Sequence, residues 1–199
     1  MKKLSRIFLC VIMALLVCLP AASALAAPSA SDLASERAEL RTKTYKALLQ
    51  LYEKQPKSRE AIQHSYGYAV FVDTSYNLGL LGGGHGRGRA INQHSKREVF
   101  MKMSQMKVGL GVGVLQSNII FVFDTPEAFD SFVKKGWTFG GQAAAAARDG
   151  VHGDSLEGAF QVAPGMWMYR VSTKGLAAEL GINGTRFTVD KKLTEPNNL

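Results

Sequence analysis

Cysteine is nearly missing from this chain: Cys10 and Cys18 are the only two in 199 residues, and both precede Ala27. Lys2, Lys3 and Arg6 lead into an apolar run from Ile7 to Leu19, Pro20 ends the run, and Ala24-Leu25-Ala26 follows. That order reads as a secretory signal peptide over residues 1–26, cut after Ala26, because the apolar stretch is shorter than the ~20 residues that span a bilayer. The mature chain then has no thiol and no disulfide, so its stability must come from a buried core. Its expected place is the periplasm or cell envelope.

Catalytic signatures are equally scarce. There is no Gly-x-Ser-x-Gly elbow, no His-Glu-x-x-His and no cysteine nucleophile. His64, His85, His94 and His152 stand apart, without the spacing of metal ligands, so neither metal nor cofactor is expected. Asp73, Asp124, Asp149 and Asp154 read as residues beside turns or strand ends, where aspartate bonds nearby backbone. A hydrolase acting on an anionic envelope component through a carboxylate pair is therefore the weakest of three functional readings. No phosphate-binding loop motif is present either.

What the chain has in quantity is glycine and positive charge. Gly82, Gly84, Gly86 and Gly88 take every second place of a strand-like run, and Gly109, Gly111 and Gly113 repeat the pattern. Side chains alternate faces along a strand, so one face is left nearly bare, and another layer of the same domain is expected to pack there. The net charge is +8, of which Lys2, Lys3 and Arg6 supply three. That balance favours an anionic phospholipid surface as partner. Nucleic acid is excluded by export and by the lack of an aromatic and basic stacking pattern.

Residues 27–60 read as a linker followed by an amphipathic helix from Asp32, with Ser31 or Asp32 as cap, to about Gln55. Leu33, Leu40, Ala47, Leu48 and Leu51 form its apolar side, and Arg37, Arg41, Lys43, Lys46 and Lys54 lie off that stripe. From Tyr66 the pattern turns to period two. Strands are expected at 66–72, 76–81, 84–92, 98–103, 107–115 and 118–123, close enough for antiparallel hairpins. Asp124 or Thr125 should cap a short helix with Pro126 in its first turn, Phe129, Phe132 and Val133 buried, and Gly136 ending it. Further strands are expected around Ala143–Ala147, Ser155–Val162, Met166–Ser172 and Leu176–Ile182, with Asn183-Gly184 as a turn and no apolar pattern after Lys191.

Several segments resemble the SYLF domain, a family of lipid-binding and actin-binding domains. Ser65-Tyr66-Gly67-Tyr68-Ala69-Val70-Phe71 resembles its opening strand, and Gly79–Arg89 its glycine-rich strand. Val108–Gly113, Ile119–Phe123, the helix over Glu127–Phe132, Gly140–Ala147 and Ser172-Thr173-Lys174-Gly175-Leu176 follow in family order. Ala177 and Glu179 depart from the commoner pattern, and the chain is more similar to an exported bacterial branch.

The fold expected is α+β and β-rich: an antiparallel β-barrel or sandwich over 61–190, with the N-terminal amphipathic helix, one short internal helix and a tail over 191–199. The resemblance implies a non-enzymatic, peripheral phospholipid-binding domain. Arg37, Arg41, Lys43 and Lys46 would meet head-group phosphates, and His85, Arg87, Arg89 and Lys174 would add to the basic face. Actin is not an expected partner of an exported bacterial protein. An envelope protein-interaction or structural module is the chief alternative.

Overall fold

Apolar side chains alternate through Gly67–Asn92 (β1) and Glu98–Phe123 (β2), and these become two strands of 26 residues each. They pair antiparallel from Gly67 opposite Phe123 to Ile91 opposite Glu98, with one register shift between Gly79 and Leu81. The computed structural model describes residues 28–140, 158–172 and 184–198. The six short strands expected here are therefore two long ones. Neither segment contains the proline that would interrupt a ladder, and each strand keeps its partner along nearly its whole length.

Among the described residues, Trp137–Phe139 (β3), Phe160–Ala163 (β4), Met166–Ser172 (β5) and Thr185–Val189 (β6) join the sheet, in the order β3-β6-β2-β5-β4 with β1 on β2. One edge of β2 carries β1. Its other edge carries β6 at Met101–Gln105 and β5 at Ser117–Phe123.

The β1–β2 ribbon bends near Gly79 and returns on itself as a curled half-barrel. The two ends of β1 consequently meet: the Gln93 amide donates to the Tyr66 carbonyl at 3.0 Å. The glycine face lies at this closure. A Cβ on Gly86 would stand 2.8 Å from the Val72 carbonyl oxygen, one on Gly84 2.8 Å from Ser75 Cβ, and one on Gly88 would overlap the Val70 carbonyl oxygen. The packing layer expected for the first glycine run is thus the other half of the same strand. Gly113, from the second run, has open space where a Cβ would be.

Both faces of the sheet are buried where its strands are most apolar. Ala69, Phe71, Ile119, Phe121 and Phe123 point inward, against Phe129, Phe132 and Val133 of helix α3 (Pro126–Lys135). Val70, Ile120, Val122, Trp167, Tyr169 and Val171 point outward, against Ala47, Leu48 and Leu51 of helix α1 (Ala30–Lys54). The α3 boundaries follow their local signals: Thr125 Oγ1 accepts from the Ala128 amide at 3.2 Å, and Gly136 leaves the helix at φ 71°.

The chain divides into two compact units, residues 1–32 and 33–199. In the first, Ser29 rather than Ser31 or Asp32 caps α1: its hydroxyl accepts from the Asp32 amide at 3.2 Å, and the Asp32 carboxylate accepts from the Ser29 amide at 3.0 Å. In the second lies a helix that the periodicity did not reveal, Ser58–His64 (α2), because seven residues bury only Ser58 and Ile62. The tail is also more ordered than its composition suggests, with Leu193 fully buried beside Leu40 and Phe100. The signal peptide and the strands expected at Ala143–Ala147 and Leu176–Ile182 lie outside the described residues. Among those described, no helix is long and apolar enough to cross a membrane.

Candidate functional site

The cations expected to face lipid are mostly engaged with carboxylates. Glu98, at the start of β2, accepts Arg41 at 2.6 Å and Arg89 at 2.7 Å, and Arg89 also donates to the buried Thr44 hydroxyl at 2.7 Å. Arg87 pairs with Glu36 and, at 3.1 Å, with Asp190, which also holds Lys102 at 3.2 Å. Arg37 donates to the Leu193 carbonyl at 2.7 Å. The arginines of α1 and those of β1 therefore face one another and fasten the helix and the C-terminal segment to the sheet.

Lys43 pairs with Glu39 one helical turn away, while Lys46 and His85 are exposed. Lys174 lies outside the described residues. Glu98 thus brings Arg41 and Arg89 together, Arg87 is held separately by Glu36 and Asp190 and Arg37 by the C-terminal segment, and Lys46 stands apart from them. Spacing along the sequence could not show this, since Glu36 and Asp190 reach Arg87 from positions 51 and 103 residues away.

The cluster is sensitive to acid. Burial pushes the Glu98 carboxyl upward, but hydrogen bonds from Arg41 and Arg89 outweigh it and hold the group below 4.5. Asp190 is likewise raised by burial and lowered further by Arg87 and Lys102, to below 3.8. A carboxyl depressed in the folded state binds fewer protons there than in the unfolded chain. Its stabilisation is present above the unfolded value and lost as pH falls through the folded one. The melting temperature should accordingly drop below about pH 4.5. Glu98→Gln should flatten that part of the profile, and an unchanged profile would show that Glu98 does not contribute.

The most exposed apolar surface lies elsewhere. Nine large apolar side chains are exposed among the described residues, and six of them, Tyr76, Leu78, Leu80, Leu81, Met106 and Val114, share the bend of the β1–β2 ribbon. Their exposure runs from 49% at Tyr76 to 74% at Met106. Register explains the grouping: Tyr76 stands opposite Val114, and Gly83, over which the Tyr76 hydroxyl lies, stands opposite Met106. Among the described residues, β6 pairs with β2 up to Gln105, with the Met106 amide donating to the Gly184 carbonyl at 3.1 Å, and β5 pairs with it from Ser117 onward.

No residue from Thr74 to Gly83 is charged, and from Met106 to Gln116 only Lys107 is. Sequence reasoning missed this apex because the leucines resembled core. The available signal was Leu80-Leu81, two adjacent large apolar residues that cannot share one face of a strand, within an uncharged run.

Residues 104–196 match the family described as Ysc84, Las17-binding protein actin regulator. Over 159 residues the chain is 30% identical to Beta cell expansion factor A of Aeromonas veronii, an alignment covering 80% of this chain and 59% of that protein. Residues 104–196 thus carry a match to the SYLF family. The family match includes the Met106 and Val114 side of the apex, and the Tyr76–Leu81 side precedes it.

The sheet also encloses polar groups. Asp73 is fully buried within β1, where it accepts from Gln105 at 3.1 Å and Ser117 at 3.3 Å, and so does not sit at a strand end. Asp124 accepts from Trp167 Nε1 at 2.7 Å. The two carboxylates thus have separate hydrogen-bond donors. Among the described residues, no group of three metal-binding side chains comes together.

Proposed function

We propose that this protein binds phospholipid bilayers peripherally, without catalysis, by placing the apex of the β1–β2 ribbon among the lipids. The observation that carries the reading is the concentration of exposed aliphatic side chains at one bend whose sequence holds a single charged residue, Lys107. Single apolar residues scattered over a surface need no explanation, whereas a contiguous apolar patch marks an interaction site. Protein hot spots are rich in Trp, Tyr and Arg and poor in Leu and Val, so an apex of leucine, valine and methionine suits acyl chains better than a folded partner. Tyr76, the least exposed of the six, is placed at the base of the bend, as an aromatic at a membrane interface would be.

Anionic head groups remain part of the proposal, through Lys46, Lys43 and His85. The arginines contribute less to an outward field while their carboxylate partners neutralise them. Export is proposed on the charged and apolar start of the chain, and protein recovered from the envelope should begin at Ala27. Recovery with Met1 intact would overturn that step. The actin role in the family's description is not extended to an exported chain.

The test is flotation of the mature protein with neutral and with anionic vesicles at low and high salt. Insertion predicts binding to both, with only the anionic excess screened by salt over ~10 Å at 0.1 M. Failure to float with either would remove the bilayer reading and leave the envelope protein partner in its place.

A further inference from the structure

Beside the apex, a cavity of about 180 Å³ opens between α1 and β1, with Glu36, Glu39, Lys43, Thr74, His85 and Arg87 in its lining. We propose that it takes the head group of an ethanolamine phospholipid, a phosphate joined to a primary ammonium, while the acyl chains of that lipid run onto the apex. The proposal rests on the bilayer reading above and names the lipid class for the same surface.

Charge makes the first argument. Two carboxylates and two cations share one cavity, so a simple anion is repelled by Glu36 and Glu39, and a simple cation by Lys43 and Arg87. A ligand carrying both signs meets a partner for each, and specificity of this kind comes as much from repulsion of the wrong ligand as from attraction of the right one. The groups are also available. Glu39 and Lys43 bind each other on an exposed helix face, a contact of little weight that a ligand can replace. Arg87 is anchored by Glu36 and Asp190 while its side chain stays 38% exposed, and a guanidinium with five N–H donors has some left over.

Position makes the second argument. Side chains two apart on a strand share a face, so Val72 and Thr74, which line the cavity, are continued on β1 by Tyr76 and Leu78 of the apex. Across the closure His85 lines the same cavity, and Leu81, four residues earlier, belongs to the apex. The surface passes from charged through neutral polar to aliphatic, the same order as a phospholipid from head group to chain. Ethanolamine is favoured over choline because a primary ammonium donates hydrogen bonds to carboxylates. A quaternary one cannot, and the cavity lacks the aromatic cage that such a group prefers.

The experiment is vesicle binding of the full mature chain, with phosphatidylcholine alone and with half of it replaced by phosphatidylethanolamine. Parent protein should bind the mixed vesicles about tenfold more tightly, the size of one hydrogen bond to a charged group. The double variant Glu39→Gln, Lys43→Gln should bind both vesicles with equal affinity, and its melting should confirm that it is folded. Equal binding of the parent to both vesicles would overturn the proposal. So would a variant that keeps the preference, since looser packing of ethanolamine lipids would then account for it. A parent that binds neither vesicle would instead sink the bilayer reading itself.

Discussion

Replacing Leu78, Leu80 and Leu81 together by serine is expected to weaken vesicle binding by at least about a hundredfold, with little change in melting temperature. Each leucine side chain moved fully from water to an apolar medium gains on the order of 2 kcal/mol, and about 1.4 kcal/mol is a tenfold change in affinity. Three partly inserted leucines therefore supply several decades, and a hundredfold loss is the conservative figure. Stability should hold because the three are 65% to 71% exposed in the folded chain, and changes at exposed positions without special contacts usually stay within about 0.5 kcal/mol. The measurement pairs flotation with thermal melting. Undiminished flotation of a folded triple variant would place the membrane contact elsewhere, with the exposed Lys46 face of α1 the next surface to change.

The contrast between the apex and the arginine cluster shows how far the sequence could be read. Helix α3 was legible to within a residue because its determinants are local: Asp124 or Thr125 before it, Pro126 at its start, Gly136 after it. Strand β5 was legible for a similar reason, as Trp167, Tyr169 and Val171 alternate with Met166 and Met168 and each set enters a different core. The fusion of six expected strands into two was not. Strand length depends on where partners begin and end, and nothing in Thr74 or Gln116 states that β1 and β2 continue through them.

Function was harder to read than fold for the same physical reason. A cation adds to an outward field only as far as carboxylates leave it unneutralised, and for Arg41 and Arg89 the neutralising carboxylate is Glu98, delivered by pairing of β1 with β2 and docking of α1. A leucine serves as membrane anchor only when the fold leaves it without cover. Leu78 and Leu51 look alike in sequence, yet one is 71% exposed at the bend and the other, on α1, is fully buried against the sheet.

The glycine face permits the curl that creates the apex, and Gly88→Val tests that dependence. The valine Cβ would overlap the Val70 carbonyl oxygen and stand 2.6 Å from Phe71 Cδ1, so the obstruction is backbone on one side and a fully buried ring on the other. Neither can yield as a flexible side chain would. Overpacking of this sort typically costs about 1–3 kcal/mol and occasionally more, and contact with backbone puts Gly88 at the upper end. A drop of roughly 6–12 °C in melting temperature is expected, since about 1 kcal/mol shifts a domain of this size by 2–4 °C. His85→Val is the control, placing the same side chain at an exposed position on the neighbouring face, where melting should be nearly unchanged. If Gly88→Val melts with the control, the two halves of β1 do not press together there. The curl would then have another cause than the missing side chains.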